Sequence, residues 1–173
     1  AAVKFLRIRN REGCDIYLLP YAGDRNAGYI LVDLDRAHPA VLETMRANVH
    51  EPCLVLQTSP GNLQAWIHVS PAPLEPAVAT AIGRELAHSY GGDPASTDWR
   101  HLGRLAGFTN QKPERRQRSG WFPWVKIVHA RPGLARNASH GCLCAPCRLS
   151  RLSCSGHSSV WRNSRTIFSW AWT

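Results

Sequence analysis

Every carboxylate side chain in this sequence lies before residue 115. Residues 1–114 carry all 12 Asp and Glu with 11 of the 21 Lys and Arg, whereas residues 115–173 carry the other 10 cations and no acid. The net charge of +9 therefore belongs to the last third of the chain. A uniformly basic domain would read as a nucleic-acid footprint. Here a nearly neutral segment precedes a basic one, and only the first has the balance of a globular domain. The 173 residues allow one compact domain with an appendage and not two full domains. No apolar run reaches the length of a membrane span. The opening AAVKFLRIRN lacks the apolar run of a secretory signal and lacks Met, so the expectation is a fragment or processed product, cytoplasmic and without a membrane partner.

Within the first segment the pattern alternates between strand and helix. CDIYLLP (14–20) reads as a strand closed by Pro20, and GYILVDLD (28–35) as a buried strand ending in acids. Pro39 suits a helical first turn, and Val41, Leu42, Met45 and Val49 keep helical spacing through about Asn48. CLVLQTS (53–59), the turn PGN and LQAWIHV (63–69) make a hairpin. LEPAVATAIGRELAHSY (74–90) is an amphipathic helix stopped by Gly91 and Gly92. Residues 93–120 are loop-rich, and a last strand covers about 122–129. The expected class is α+β, a mainly antiparallel sheet with helices packed on it and a domain limit near Gly133.

Two places concentrate chemistry. In a strand, Asp33 and Asp35 share a face while Val32 and Leu34 point the other way. Two acids so placed can share divalent cations, and oxygen ligands suit Mg²⁺ or Mn²⁺ in a two-metal phosphoryl-transfer site. The same acids are equally ordinary at a strand end or helix cap. GGDPASTDWRHLGRLAGFTNQK (91–112) adds Asp93 and Asp98 as further carboxylates, with His101, Arg104 and Lys112 able to meet a triphosphate. A polar surface loop is the alternative, although a loop of this length in a compact domain is more often functional. Further on, Arg115, Arg116 and Arg118 beside Trp121 and Trp124 pair phosphate-binding cations with stacking surfaces for single-stranded DNA, or are a solvated basic loop beside buried aromatics. On the hairpin, Gln64 is a candidate to face a nucleotide and Trp66 a candidate for the core.

The strings TSPGNLQAW (58–66), GGDPAS (91–96), RHLGRLAGFTNQK (100–112) and WFPWV (121–125), in that order, resemble the RepB-like DNA primase domain of broad-host-range plasmids and mobile elements, which is sometimes joined to a relaxase. The resemblance covers about residues 14–130. It implies the RRM-like palm of the archaeo-eukaryotic primase superfamily, single-stranded DNA as template, nucleoside triphosphates as substrates, Mg²⁺ or Mn²⁺ as cofactor, and a replication helicase or relaxase among possible partners. It implies catalysis by the acids closing the LVDLD strand and by the Asp of DPAS, here Asp33, Asp35 and Asp93. His101, Arg104, Asn110 and Lys112 lie in the matching string, and their chemistry assigns them to triphosphate or template binding. Three departures stand out: Leu34 replaces the second of two adjacent acids, Gln57 replaces a Glu, and Leu19-Pro20 replaces an Arg-Pro pair. An N-terminal strand and helix usual in the family are read as missing.

Residues 134–173 fall outside the resemblance. They combine no acid with Cys142, Cys144, Cys147, Cys154, His140, His157 and three Trp. Three readings stay open: a frameshifted or degenerate tail, a disordered basic arm, and a metal knuckle. Each expects poor order after residue 133. For the whole chain the leading expectation is a primase. The alternative is a catalytically degenerate primase fragment that only binds single-stranded DNA. A plain RNA-binding RRM-like domain is disfavoured because no RNP1 string is present.

Overall fold

The structure is a computed structural model that describes residues 2–38, 40–135 and 168–169. In chain order the elements are α1 Ala2–Arg11, β1 Tyr17–Ala22, β2 Arg25–Asn26, β3 Tyr29–Leu34, α2 Val41–Ala47, β4 Leu54–Ser59, β5 Asn62–His68, α3 Pro76–Tyr90, β6 Gly103–Arg104, β7 Lys126–Ala130 and β8 Phe168–Ser169. Short 3-10 turns occupy Pro94–Ser96 and Pro113–Arg115. The class is α+β, as the sequence pattern requires.

One sheet runs β3-β5-β4-β7, and every pairing in it is antiparallel. Period-two alternation gives it two different faces. Ile30, Val32 and Leu34 of β3, Leu63, Ala65 and Ile67 of β5, and Val55 of β4 pack with Met45 of α2 and Ala79, Ile82, Leu86 and Tyr90 of α3. This is the main core, and complete burial of each such aliphatic side chain stabilises the fold by about 1.5–3 kcal/mol. The opposite face carries the alternate residues. Asp33 stands opposite Gln64, Leu31 opposite Trp66, and Tyr29 opposite His68, whose rings stack at 4.2 Å.

A second sheet covers part of that face. It runs β2-β1-β6, with β8 pairing to β1 at Leu19 and Pro20. Gly103 in β6 is held to glycine by proximity, since a Cβ there would lie 2.3 Å from the Trp66 ring. Trp66 is buried, as expected of a core residue.

The sequence reading placed no element before residue 14, and the structure shows a helix there. Residues 2–11 form α1, whose Leu6 packs with Ile16 and Phe108. Asn10, also buried, fixes the helix to the far loop: its Nδ2 donates to the Cys14 and Thr109 carbonyls, and its Oδ1 accepts from the Thr109 amide and hydroxyl. Smaller corrections concern strand limits. β3 ends at Leu34, where Arg36 turns the chain with φ +51 and donates its N–H to Asn62 Oδ1. β2 lies between the first two strands expected from sequence, and β6 lies in the segment read as loop-rich. The core reaches past Gly133, because Ala135 is buried in it and its N–H bonds the His68 carbonyl. Pro39 and the Cys, His and Trp residues of the tail lie outside the described residues. Among the described residues, no helix is long and apolar enough to cross a membrane.

Candidate active site

The GGD string shows how the fold builds the site. Gly91 closes α3 in the left-handed conformation, φ +67, and its N–H bonds the Ala87 carbonyl. Gly92 then passes so close to β3 that a Cβ would sit 2.8 Å from Val32 Cγ1 and 3.2 Å from the Asp33 carbonyl oxygen. This approach lets the Asp93 N–H donate to the Asp33 carbonyl at 2.9 Å. Two acids 60 residues apart in sequence are thereby joined backbone to backbone. The Asp93 side chain is aimed by its own turn: Oδ1 accepts from the Ala95 N–H and Oδ2 from the Ser96 hydroxyl, each at 2.9 Å.

Around this junction lies a cavity of about 410 Å³. Asp33, Asp35, Asp93, His101, Arg104, Asn110 and Lys112, all named from sequence, line it together, as do Asp98 and Arg115. Burial pushes the Asp33 carboxyl above the ordinary carboxylate range. A hydrogen bond from Gln64 draws it down, the negative charge of Asp35 pushes it up, and the charges of His101 and Asp93 act in opposite directions. Asp93 is half-buried and lies below that range, because the Ala95 N–H and the Ser96 hydroxyl stabilise its charged form, with His101 and Lys112 adding to the effect. Asp35 sits beyond the strand in the turn, within 3.5 Å of the Arg115 guanidinium. Leu34 is fully buried in the core, so Asp35 and not residue 34 supplies the second acid of this strand end to the cavity.

Several residues hold the cavity together rather than face it freely. Gln64 bridges two walls: its Nε2 donates to Asp33 Oδ2 at 3.3 Å, and its Oε1 accepts from the Arg104 N–H at 2.8 Å. The Arg104 guanidinium is engaged in a two-point bond to Asp15, with Nη2 to Oδ2 at 3.0 Å, and lies over the Tyr17 ring. Burial raises the Asp15 carboxyl, but the Arg104 hydrogen bond and charge and the Gln111 N–H outweigh it and hold the group below its usual range. Asn110 is only 2% exposed; it donates to the Thr58 carbonyl, and its N–H bonds the Pro123 carbonyl. Lys112 forms no ion pair among the described residues.

The five residues read as meeting single-stranded DNA are divided by the structure. Arg115 joins the first cavity. Arg116 donates to the Gly120 carbonyl and lies over Phe122, and Arg118 is exposed on the same turn. Trp121 lines a second cavity together with Trp124. Sequence reasoning passed over Asp15 and Tyr17. The available signal was an acid inside the apolar run CDIYLLP, which needs a partner if the strand is buried.

The oxygen-rich donor set fits a hard divalent cation. Among the described residues no three acidic, His or Cys groups form a preformed cage. Mg²⁺ is ordinarily held through one or two carboxylates, with water and substrate phosphates completing its shell, so two acids on a cavity wall are a sufficient protein share.

Comparison with known proteins bears on the family and the fold. Residues 4–136 match the RepB DNA-primase N-terminal domain. The chain is 40% identical over 141 residues to mobilization protein A of Escherichia coli, a match covering 78% of this chain and 19% of that protein. It is 31% identical over 123 residues to a DNA primase of Acidithiobacillus ferrooxidans, covering 69% of this chain and 33% of that one. It thus spans about a fifth to a third of the length of these relatives. Among solved structures, primase RepB' is similar with a TM-score of 0.69 at 39% identity, over 78% of this chain and 44% of that one. The catalytic domain of primase RepB' in complex with initiator DNA is similar with a TM-score of 0.67 at 39% identity, over 79% of this chain and 66% of that one. The chain belongs to the RepB DNA-primase N-terminal domain family.

Proposed function

We propose that this chain carries the nucleotidyl-transfer site of a primase and makes short primers on single-stranded DNA from nucleoside triphosphates. The observation that carries the reading is the junction of Asp33 and Asp93 in a cavity that Lys112, His101 and Arg115 also line. Carboxylates and cations lining one cavity suit a triphosphate whose metal is held by the acids and whose outer phosphates meet the cations. Lys112 acts as a point charge for the outer phosphates, and Arg115 offers a fork once it leaves Asp35. A divalent cation bound at Asp33 and Asp93, with Asp35 in reach, would offset phosphate charge and favour the deprotonated 3′-hydroxyl of the growing primer. Gln64 keeps the Asp33 carboxylate directed into the cavity. Arg104, held by Asp15, fixes β6 beside it. Arg116, Arg118 and Trp121 form the outer, template-facing part of the site. A helicase or relaxase elsewhere in a longer protein, and plasmid or mobile-element replication as the setting, extend the same reading.

The test is incorporation of labelled triphosphates on a single-stranded template with Mg²⁺ or Mn²⁺. Products should require template and cation, vanish on chelation and vanish in Asp93→Ala. Template binding that survives chelation, with no product from a folded chain under any of these conditions, would favour the binding-module alternative.

A further inference from the structure

A second cavity, of about 740 Å³, stands behind the first. The two share a wall formed by the end of β4 and the 109–112 segment. Thr58, Asn110 and Lys112 face the first cavity; Gln57, Ser59, Thr109 and Gln111 face the second. We propose that this second cavity seats an unpaired base of the DNA strand, stacked on Trp124 and Trp121, with Lys126 and Arg11 holding the adjoining phosphates. The proposal rests on the primase reading and gives it a template-binding site separate from the carboxylates.

Three observations point to this occupant. First, Trp121 is 76% exposed and Trp124 58%, so two large aromatic faces stand uncovered at the cavity. Second, Arg11 and Lys126 line it, neither forms an ion pair among the described residues, and no carboxylate is among its lining residues. Uncovered aromatic faces beside cations, without acids, suit single-stranded nucleic acid. Every base offers a π-face, whereas a duplex keeps its bases stacked on each other. The volume lies within the range of roughly 300–1,000 Å³ typical of small-molecule sites, enough for one nucleotide.

Third, the platform is built before any ligand arrives. The Gln117 N–H bonds the Trp121 carbonyl and the Gly120 N–H the Gln117 carbonyl, closing the turn. Trp124 bridges Thr109 through the backbone, and the Val125 N–H bonds the Phe108 carbonyl. An ordered platform loses less conformational freedom on binding.

The experiment is binding of a fluorescently labelled 12-residue oligothymidylate, read by anisotropy in EDTA and without triphosphates, as a function of salt. Trp124→Ala should weaken binding by about 5- to 150-fold, the range expected for one base stack. Trp124→Phe should recover most of it. Lys126→Ala should lower the slope of log affinity against log salt by about 0.7. Both side chains are exposed, so the variants should melt as the wild type does. Equal binding by wild type, Trp124→Ala and Lys126→Ala would overturn the proposal. So would displacement of the oligomer as effectively by its duplex or by polyglutamate. If primer synthesis fails while binding still depends on Trp124, the proposed activity falls and the base site stands. If synthesis succeeds and Trp124→Ala binds normally, the reverse holds.

Discussion

Replacing Asp15 by Ala removes one partner of a buried ion pair. The side chains of Arg104 and Asp15 are 5% and 13% exposed, and their contact is two-pointed. Loss of one member leaves the guanidinium without its counter-charge and orphans the Gln111 N–H that Asp15 accepts. Such a loss costs about 3–5 kcal/mol, a large part of the roughly 5–15 kcal/mol that holds a domain folded. At about 4 °C per kcal/mol for a domain of this size, the midpoint should fall by about 12–20 °C. The assay is urea and thermal unfolding followed by circular dichroism, with Arg104→Met and the double variant completing a cycle. The double variant should be more stable than Asp15→Ala, because it buries no unpaired charge. A loss below about 1 kcal/mol in Asp15→Ala, or strict additivity of the two substitutions, would refute the claim that this pair is a buried, coupled unit.

Other expectations rest on single contacts. Gly92→Ala forces a methyl group against Val32 and the Asp33 carbonyl; it should cost about 1–3 kcal/mol and reduce primer synthesis more than nucleotide-independent DNA binding, as paired assays would show. Lys112→Ala should raise KM for the triphosphate more than it lowers kcat, read from initial rates at varied nucleotide concentration. His50 and His68 both have pKa values lowered by burial from 6.5. The folded chain then binds fewer protons than the unfolded chain below about pH 6.5, so stability is complete above that pH and falls as pH drops toward the folded values. Unfolding midpoints from pH 8 to pH 5 check this, and His50→Gln should flatten part of the decline.

What the sequence made legible was local. Apolar runs bounded by turn signals located β3, β4 and β5, and the PGN turn joined the last two. The acids of the LVDLD strand and the DPAS string stood out as candidates, but spacing alone left them ordinary strand-end and loop residues, and the resemblance to the RepB-like domain is what implied their role. What stayed hidden was non-local or marginal. Asp15 and Arg104 lie 89 residues apart, and no spacing rule links them. The second role of Gln64, as acceptor for the Arg104 N–H, depends on a sheet-to-sheet contact. Helix α1 buries only Leu6 and Asn10, so its apolar stripe is too thin to stand out. Its stop signal was present in Arg9 and Arg11 followed by Gly13. The strand limit moved from Asp35 to Leu34 because Asn62, on the paired hairpin, captures the Arg36 N–H.

The most direct test of the central claim pairs activity with stability in Asp33→Asn. This change keeps the shape of the side chain and removes a charge that burial already disfavours. Template-dependent incorporation of labelled nucleotide should disappear, while the unfolding midpoint in metal-free buffer at neutral pH should be equal to or above that of the wild type. Primer synthesis at the wild-type rate by a folded Asp33→Asn protein would contradict the assignment of this cavity as the nucleotidyl-transfer site.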